Sequence, residues 1–410
     1  MDIPGLPARR AALNLIDAVL RRGETLEQAA GASLARVRGE PDRALAKAIA
    51  SEVLRWRVDL DLLIDSATRL RLPDDAKPRA VLAIMLAQVL RLETPPHAAI
   101  ATGLPLLAGG PRRLAHGVFT TLTKRGAALP AVPTLTDGTR QRWGARADAI
   151  AQGLAVPPPL DLTLRDPDAT AEWTERLGGV SLASGHVRLP RGAAIDSLPG
   201  YREGAWWVQD LAASLPARLL GAGQGRRVLD LCAAPGGKAL QLAAAGWAVT
   251  ALDISKRRLE RLQDNLERTS LAADVVVADA LAWEPDGAFD AVLLDAPCTA
   301  TGTCRRHPDV LHRIGPRQIA ELAPLQSRLL ERAAGWLTPG GTLVYAVCSL
   351  EAEEGEAQAE RVSLTPEPIR AEELPMDLRP GEQGWLRTDP GMLSDQGGLD
   401  GFFIARWQAS

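Results

Sequence analysis

Two cysteines of this 410-residue chain stand just after apolar runs that predict buried strands, where a thiolate could act as a covalent nucleophile. Cys298 closes the motif Asp295-Ala-Pro-Cys298, and Cys348 closes Tyr345-Ala-Val-Cys348. A lone free cysteine is more often a small buried hydrophobe than a reactive group. Two cysteines at corresponding strand ends, one of them beside an aspartate and a proline, favour covalent chemistry over simple packing.

The four cysteines predict neither a zinc site nor a disulfide framework. They form no Cys-x-x-Cys pair, and the five histidines do not cluster with them. A chain of this size without a secretory signal also has little use for disulfides. We therefore expect no bound metal, and free thiols at Cys232, Cys298, Cys304 and Cys348.

A glycine-containing loop follows the first of the predicted strands and suits close approach of a ligand to the backbone. A phosphate loop of the Walker type would need Gly at position 232 and Ser or Thr at 239, but the chain has Cys232 and Ala239. The dinucleotide fingerprint GxGxxG is also absent. The candidate cofactor-binding residues of this loop are Cys232, Ala233, Ala234, Pro235, Gly236, Gly237 and Lys238.

Aspartates at the ends of the next two strands extend this candidate site. Asp253 is placed to accept hydrogen bonds from the two hydroxyl groups of a ribose, and Asp279 to accept one from an adenine amino group. An aspartate at a strand end is often only the cap of the next helix. Two such aspartates, together with Asp295 and the glycine loop, favour an adenosine-containing ligand.

Thiols that converge on a methyl donor have a specific chemical meaning. Carbon-5 of cytosine is too weak a nucleophile to take a methyl group unaided, but a thiolate that adds to carbon-6 produces an enamine that can. An acid near ring nitrogen 3 must stabilise the adduct, and Asp295 is placed to do so. The pattern thus predicts methylation of a cytosine through a covalent adduct.

The elements that must position these residues alternate between strand and helix from Trp207 onward. Five apolar runs, five to seven residues long and rich in Val and Leu, predict strands of a parallel sheet with helices on both faces. In such a sheet the carboxyl ends of the strands meet at one edge. We therefore expect the glycine loop and both cysteines at the same edge. The runs are 227–231, 248–253, 274–279, 289–295 and 342–347.

The remainder of the chain predicts three further parts. Residues 1–130 show helical periodicity with breaks at prolines and predict an all-helical bundle of six or seven helices. Residues 131–159 predict a loop-rich linker, and 160–206 a small α+β subdomain with strands at Leu160–Arg165, Val187–Leu189 and Ala193–Ile195. The predicted methyl-transfer domain spans 207–410.

Charge is unevenly distributed along the chain, although the net charge is only −3. Residues 1–130 hold 19 Lys and Arg against 13 Asp and Glu, and the rest of the chain is acidic. This balance fits a helical module that docks on nucleic acid, and equally fits ordinary solvated helix faces. The chain starts without a secretory signal and has no long uncharged apolar segment, so we expect a cytoplasmic protein without membrane contact. We also expect a monomer.

Several motifs taken together resemble the Sun/RsmB-type RNA cytosine-5 methyltransferases. They are CAAPGGK at 232–238, DAPC at 295–298 with ATG and RRHPD after it, CSL at 348–350, DGFF at 400–403 and VQD at 208–210. The resemblance covers about 160–410 and implies a Rossmann-like class I methyltransferase domain that uses S-adenosyl-L-methionine. It also implies that Cys348 is the nucleophile, that Cys298 assists release of the methylated base, and that the glycine loop, Asp253, Asp279 and Asp295 contact the cofactor or the base.

The N-terminal helices resemble the NusB-like RNA-binding domain of the branch of this family that modifies small-subunit ribosomal RNA. The similar residues are Arg10–Val19, Leu54-Arg55, Pro95–Ala99 and Gly117-Val118. The resemblance implies an RNA partner, ribosomal RNA in particular. Ala239 and Val347 stand where threonine is usual, a departure that bears on substrate position more than on chemistry.

Two other functions remain open at this point. A DNA cytosine-5 methyltransferase would use Cys298 as nucleophile, but it would also need a target-recognition region that the chain lacks, and it would not need Cys348. A non-catalytic RNA-binding assembly protein would need neither cysteine nor Asp295. All three residues are present, which favours the RNA enzyme.

Overall fold

The computed structural model describes residues 3–410 and divides them into two compact units. The first unit holds the chain up to Val156 together with 304–315, and the second holds 157–303 and 316–410. The division differs from a simple succession of domains, because a short segment from the second half of the sequence belongs to the first unit.

The first unit begins with seven α-helices between residues 6 and 124, as the periodicity predicts. Prolines near the beginnings of several of them, for example Pro41 and Pro96, fit a position where a backbone N–H has no helical partner. The apolar stripes pack into one core around Leu15, Ile49 and Phe119. The helices are α1 (Leu6–Arg22), α2 (Leu26–Leu34), α3 (Glu40–Arg55), α4 (Arg57–Ser66), α5 (Lys77–Arg91), α6 (Pro96–Gly103) and α7 (Gly109–Lys124).

The segment 131–159, which the sequence suggests is a loop-rich linker, contains two further helices, α8 (Asp137–Trp143) and α9 (Ala147–Leu154). Trp143, Ile150 and Leu154 are buried. Both helices are short, so their periodicity is weak in the sequence, and burial of their apolar faces in the first unit supplies the stability that propensity does not.

Residues 304–315 attach to the first unit through polar contacts with α3. This segment includes α14 (Val310–Arg313). The buried Arg55 guanidinium donates to the Arg305 carbonyl at 2.8 Å, and the His312 Nε2 lies 2.7 Å from the Leu54 carbonyl. These contacts join residues that are 250 and 258 positions apart in the sequence.

A three-stranded antiparallel sheet opens the second unit, in the order β2-β1-β3. It consists of β1 (Leu160–Leu164), β2 (His186–Leu189) and β3 (Trp206–Val208), with α10 (Thr170–Leu177) after β1. The strand expected at Ala193–Ile195 is wrong, because that stretch leads into a 3-10 turn at Ile195–Ser197. The third strand is β3 instead, whose Trp206 is fully buried in the small core.

The main sheet of the second unit is mixed, in the order β10-β11-β8-β7-β4-β5-β6 with β9 beside β11. Strands β6, β5, β4, β7 and β8 are parallel, and β11 and β10 add antiparallel to β8. The predicted parallel α/β fold is confirmed. The strands are β4 (Arg227–Leu231), β5 (Ala248–Asp253), β6 (Asp274–Val277), β7 (Phe289–Asp295), β8 (Leu337–Val347), β9 (Thr365–Pro366), β10 (Leu386–Thr388) and β11 (Phe402–Gln408).

Helices cover both faces of this sheet, because successive strand residues point to opposite sides. Val228 and Leu293 belong to one core, whereas Leu229 and Leu294 belong to the other. No helix of residues 3–410 is long and apolar enough to cross a membrane. The remaining helices are α11 (Leu211–Arg218), α12 (Gly237–Ala244), α13 (Lys256–Thr269), α15 (Pro316–Gly335) and α16 (Glu356–Ala359).

Candidate active site

The glycine loop leaves the carboxyl end of β4 and enters α12. Cys232 adopts a left-handed φ of 67°, and Gly236 has φ 112°. A Cβ at Gly236 would lie 2.4 Å from Leu262 Cδ1, so the position requires glycine. Gly236 and Gly237 thereby bring backbone without side chains to the beginning of α12, an arrangement that can hold a ligand.

Asp253, at the end of β5, is buried and fixes the glycine loop from the neighbouring strand. Its carboxylate accepts from the Ala234 N–H at 3.2 Å and the Ser255 N–H at 2.8 Å, and lies 3.5 Å from Arg258 Nη1. Asp253 therefore holds the turn that leads into α13 and supports the glycine loop. The side-chain cap of α13 is Ser255, which accepts from the Arg258 N–H, so Asp253 is not the helix cap that an aspartate at a strand end often is.

Asp279 lies farther from the sheet than expected. Strand β6 ends at Val277, and the Asp279 carboxylate accepts from the Leu281 N–H at 2.9 Å in the turn that follows. The side chain is exposed. Ile254 and Val277, both exposed apolar residues, stand near the ends of the same two strands and offer an apolar surface beside the two aspartates.

Lys238 connects the glycine loop to the end of β7. Its ammonium donates to Asp295 Oδ2 at 2.7 Å and lies 5.3 Å from the centre of the Phe402 ring. Burial alone would lower the pKa of Lys238, but the Asp295 carboxylate outweighs it and raises that pKa. Lys238 is therefore a charged group held against Asp295 at the edge where the parallel strands end.

The two candidate catalytic thiols are in contact. Cys298 Sγ lies 3.5 Å from Cys348 Sγ, close enough for one thiol to donate to the other sulfur. That contact first, and burial second, raise the pKa of Cys298 well above its ordinary value. The geometry therefore favours Cys298 as the protonated donor to the Cys348 sulfur.

Backbone contacts hold the two cysteine-bearing loops side by side. The Ala296 N–H donates to the Ala346 carbonyl at 2.9 Å, and the Gly302 N–H donates to the Cys348 carbonyl at 3.0 Å. Gly401 donates in turn to the Gly302 carbonyl at 2.8 Å. The expectation that both strand ends meet at the edge with the glycine loop is thus met in the structure.

Cys232 and Cys304 differ from this pair. Burial, then the charge of Asp253, raises the pKa of Cys232 well above its ordinary value, so this thiol stays protonated. Cys304 is fully buried in the first unit. Within residues 3–410 no group of three or more His, Cys, Asp or Glu side chains is arranged to hold a metal ion.

The sequence interpretation missed a buried polar cluster beneath the two cysteines. Thr299 and Ser349, each immediately after a cysteine, both donate to the carboxylate of Glu354. Glu354 lies in an acidic run of the sequence that is typical of a solvent-exposed surface, yet its side chain is completely buried. The only sign of this cluster in the sequence is an acidic residue five positions after Ser349.

Comparison with known families agrees with this geometry. The sequence model of the family described as 16S rRNA methyltransferase RsmB/F matches residues 217–408, and the NusB family model matches residues 6–106. The first match covers the glycine loop, both cysteines and Glu354, and the second covers α1 to α6.

Individual proteins are similar along nearly the whole chain. A ribosomal RNA small subunit methyltransferase B of Xanthomonas campestris is 34% identical, over 98% of this chain and 97% of its own length. The enzyme of that name from Xylella fastidiosa is 35% identical over 98% of both chains. The fold also matches NSun6 from Pyrococcus horikoshii, solved with the S-adenosylmethionine analogue SFG, over 67% of this chain and 98% of that one, with a TM-score of 0.58 and 18% identity. The chain therefore belongs to the RsmB/F family of 16S rRNA methyltransferases, with an N-terminal NusB domain and S-adenosylmethionine as its cofactor.

Proposed function

We propose that this enzyme methylates carbon-5 of a cytosine in small-subunit ribosomal RNA through a covalent bond from Cys348 to carbon-6 of the base. The observation that carries the proposal is the 3.5 Å separation of Cys298 and Cys348 beside the Lys238–Asp295 pair. A methyltransferase that acted on an already nucleophilic atom would need no thiol at this place. The rRNA substrate is supported by the names of the relatives that match almost the entire chain.

The side chains divide the chemistry between them. Cys348, as a thiolate, adds to carbon-6, and its electron pair makes carbon-5 nucleophilic while negative charge develops on ring nitrogen 3. Asp295, with the Lys238 ammonium 2.7 Å from its carboxylate, is placed to stabilise that charge. S-adenosylmethionine, when bound, supplies the electrophilic methyl group.

Release of the methylated base requires the carbon-5 proton to leave and the bond between sulfur and carbon-6 to break. Solvent water takes the carbon-5 proton, the electron pair of the carbon-5–hydrogen bond forms the double bond to carbon-6, and the pair of the bond between sulfur and carbon-6 returns to Cys348 as a thiolate. Cys298, in contact with Cys348, is the side chain placed to take part in this elimination. Cys348 would thus act in the formation of the covalent intermediate, and Cys298 in its breakdown.

The cofactor would be held by the glycine loop and the neighbouring strand ends. Residues 232–238 present backbone without obstructing side chains, and the buried Asp253 carboxylate suits the ribose hydroxyls. Asp279 is assigned to the adenine amino group, with Ile254 as an apolar surface for the ring. These roles follow the family resemblance and the placement of each residue at the same edge of the sheet.

The helical first unit is assigned to RNA docking and the second unit to catalysis. The excess of basic residues in 1–130 and the NusB family match support this division. A ribosomal RNA substrate also implies that the enzyme works in the cytoplasm. We expect it to act as a monomer.

The decisive experiment mixes labelled RNA with three variants and resolves the products on a denaturing gel. Cys298→Ala should accumulate an RNA–protein adduct, because attack proceeds but release is impaired. Cys348→Ala should form no adduct and make no 5-methylcytosine, although its cofactor affinity should stay within about threefold of wild type. The double variant should behave like Cys348→Ala, because release matters only after attack.

A DNA-type mechanism predicts the reverse pattern, with Cys298 as the nucleophile. An adduct in Cys348→Ala and none in Cys298→Ala would overturn the assignment. Bisulfite sequencing of ribosomal RNA from cells with and without the gene tests the substrate separately. Loss of one 5-methylcytosine in small-subunit RNA is expected, and an unchanged pattern would refute the proposed substrate.

A further inference from the structure

Glu354 occupies a central position beneath the two cysteine-bearing loops. Its carboxylate has 0% exposure, and no Lys or Arg of residues 3–410 forms an ion pair with it. It lies in the turn between Cys348 and α16, in a stretch whose neighbouring Glu353 is exposed. A buried carboxylate without a cationic partner is costly unless several donors satisfy it, and such an arrangement persists where it has a specific role.

Donors from three elements satisfy this carboxylate. Oε1 accepts from the Thr299 N–H and from Gln326 Nε2 of α15, each at 3.0 Å. Oε2 accepts from the Thr299 hydroxyl and the Ser349 hydroxyl, each at 2.5 Å. Hydrogen bonds to a charged acceptor are about twice as strong as neutral ones, so the cluster is stiff.

The donors are chemically informative because of their neighbours. Thr299 follows Cys298 directly and Ser349 follows Cys348 directly. One carboxylate therefore binds the residue next to each candidate catalytic thiol. Gln326 adds a second restraint on the first loop, since its amide also donates to the Pro297 carbonyl at 3.0 Å. Glu354 thus links the two loops through the residues that follow the two cysteines.

We infer that Glu354 is a positioning residue for the reaction, whose carboxylate ties Thr299 to Ser349 and thereby holds Cys298 and Cys348 in contact. This inference rests on the proposed function for its catalytic consequence, although the geometry of the thiol pair can be measured without RNA. Attack requires one sulfur and release requires both, so Glu354 should matter more for turnover than for RNA or cofactor binding.

The charge of Glu354 acts in the same direction as its geometry. Together with the Cys348 contact and burial, which are the larger causes, it contributes to raising the pKa of Cys298. The Ala300 backbone lowers that pKa, and the Tyr345 hydroxyl donates to the Glu354 carbonyl at 2.6 Å. A carboxylate at this position thus favours the protonated form of Cys298.

The test measures the thiol pair directly with phenylarsine oxide, which bridges two neighbouring thiols and releases water. Mass spectrometry with peptide mapping should show Cys298 and Cys348 bridged in the wild type, and no bridge between them in Cys298→Ala. Glu354→Gln, which removes the charge, and Glu354→Ala, which removes the link, should bind the arsenical at least tenfold more weakly. The exposed Glu353→Gln is the matched control and should match the wild type.

Kinetic measurements on the same variants complete the test. Glu354→Gln should lower kcat for RNA methylation at least tenfold, with KM for RNA and cofactor affinity within about threefold of wild type. Thr299→Val removes one donor without changing side-chain shape and should give a smaller loss of the same kind, which keeps the inference testable if Glu354→Ala fails to fold. Bridging and kcat at wild-type levels in both Glu354→Gln and Thr299→Val would overturn it.

The outcomes separate this inference from the proposed function. If arsenical bridging falls in the Glu354 variants while the wild type makes no 5-methylcytosine, the positioning role stands and the proposed reaction fails. If the wild type makes 5-methylcytosine and Glu354→Gln loses KM or cofactor affinity instead of kcat, the positioning role fails and the reaction stands.

Discussion

At the scale of single residues, Asp230 is an ionisable side chain to which the proposed reaction assigns no role. It lies in β4 just before the glycine loop, is completely buried, and neither carboxylate oxygen has a hydrogen-bond partner within residues 3–410. Burial raises its pKa from 3.8 to about 7, and the charges of Asp295 and Asp253 add to this rise while Lys238 opposes it. Asp230 is therefore largely protonated in the folded protein below neutral pH.

This pKa predicts a pH dependence of stability. A rise from 3.8 to about 7 favours the protonated form by up to about 4 kcal/mol in the folded state. Because the folded protein binds the proton more tightly than the unfolded chain, this residue destabilises the fold increasingly as pH rises from about 4 to about 7. Asp230→Asn removes the effect, so its melting temperature relative to wild type should rise between pH 5 and pH 8. A constant difference across that interval would show that Asp230 titrates normally.

Asp253 carries a prediction about cofactor affinity. Its loss leaves the Ala234 and Ser255 N–H groups without their acceptor. It would also remove the proposed acceptor for the ribose hydroxyl groups. Asp253→Ala should weaken S-adenosylmethionine binding by about 1–3 kcal/mol, as measured by calorimetry. Asp274→Ala, at the exposed beginning of β6, is the control. Unchanged affinity in Asp253→Ala would restrict the residue to supporting the glycine loop and the turn before α13.

At the scale of elements, the loop after β7 is held to the end of the chain at Gly302. A Cβ on Gly302 would lie 1.9 Å from the Gly401 carbonyl oxygen and 2.9 Å from that of Cys348. Both contacts are to backbone and cannot be relieved by a side-chain rotation. The position therefore tolerates only glycine, and its N–H is the one that fixes the Cys348 carbonyl.

Gly302→Ala should accordingly disturb both fold and catalysis. Overpacking of this kind costs about 1–3 kcal/mol or more of unfolding free energy. We expect a lower melting temperature and a loss of adduct formation larger than any loss of cofactor binding. Gly335→Ala is the matched control, because no atom lies within 4 Å of its Cβ position and it ends helix α15. Equal adduct yields from the two variants would mean that the Gly302 contact does not position Cys348.

At the scale of the whole molecule, the first unit carries a basic groove suited to phosphate. A cavity of about 740 Å³ near the beginning of α1 is lined by Arg10, Arg36 and Arg38, with Asp42 as its acidic residue. Arginine forks match phosphate oxygens, and each phosphate contact releases counterions, so binding through them depends on salt.

The groove predicts which basic residues matter for RNA. Arg10→Glu and Arg36→Glu should each weaken binding of a ribosomal RNA fragment about three- to tenfold and reduce the slope of log affinity against log salt by about one. Arg69→Glu, an equal charge change at an exposed site of the same unit outside this groove, should have a smaller effect. Filter binding over a salt series measures both quantities. Equal losses in all three variants would indicate a nonspecific effect of net charge.

Point substitutions are preferable to deletion of residues 1–130 for testing the RNA role. Deletion would remove Arg55 and Leu54, the partners of Arg305 and His312 in the 304–315 segment. That segment would lose its buried contacts even though it belongs to the second half of the sequence. A truncated protein could therefore fail for reasons unrelated to RNA.

The sequence by itself indicated most of the helices, five strands of the main sheet and the family of this protein. Periodicity located helices such as α3 and α13, and apolar runs located β4 to β8, because each pattern reflects burial of one face or both faces of a local element. The motifs around Cys298 and Cys348 indicated the site, because strand ends of a parallel sheet must meet at one edge.

Only the tertiary structure decided which distant residues support that site. Glu354 reaches Thr299 across 55 positions, and Arg55 reaches Arg305 across 250. Such contacts leave no periodic trace, since they depend on how separate elements pack and not on the local chain. The same reason explains β3 and α8, which are too short to show a pattern and acquire their conformation from burial of Trp206 and Trp143 against the rest of the fold.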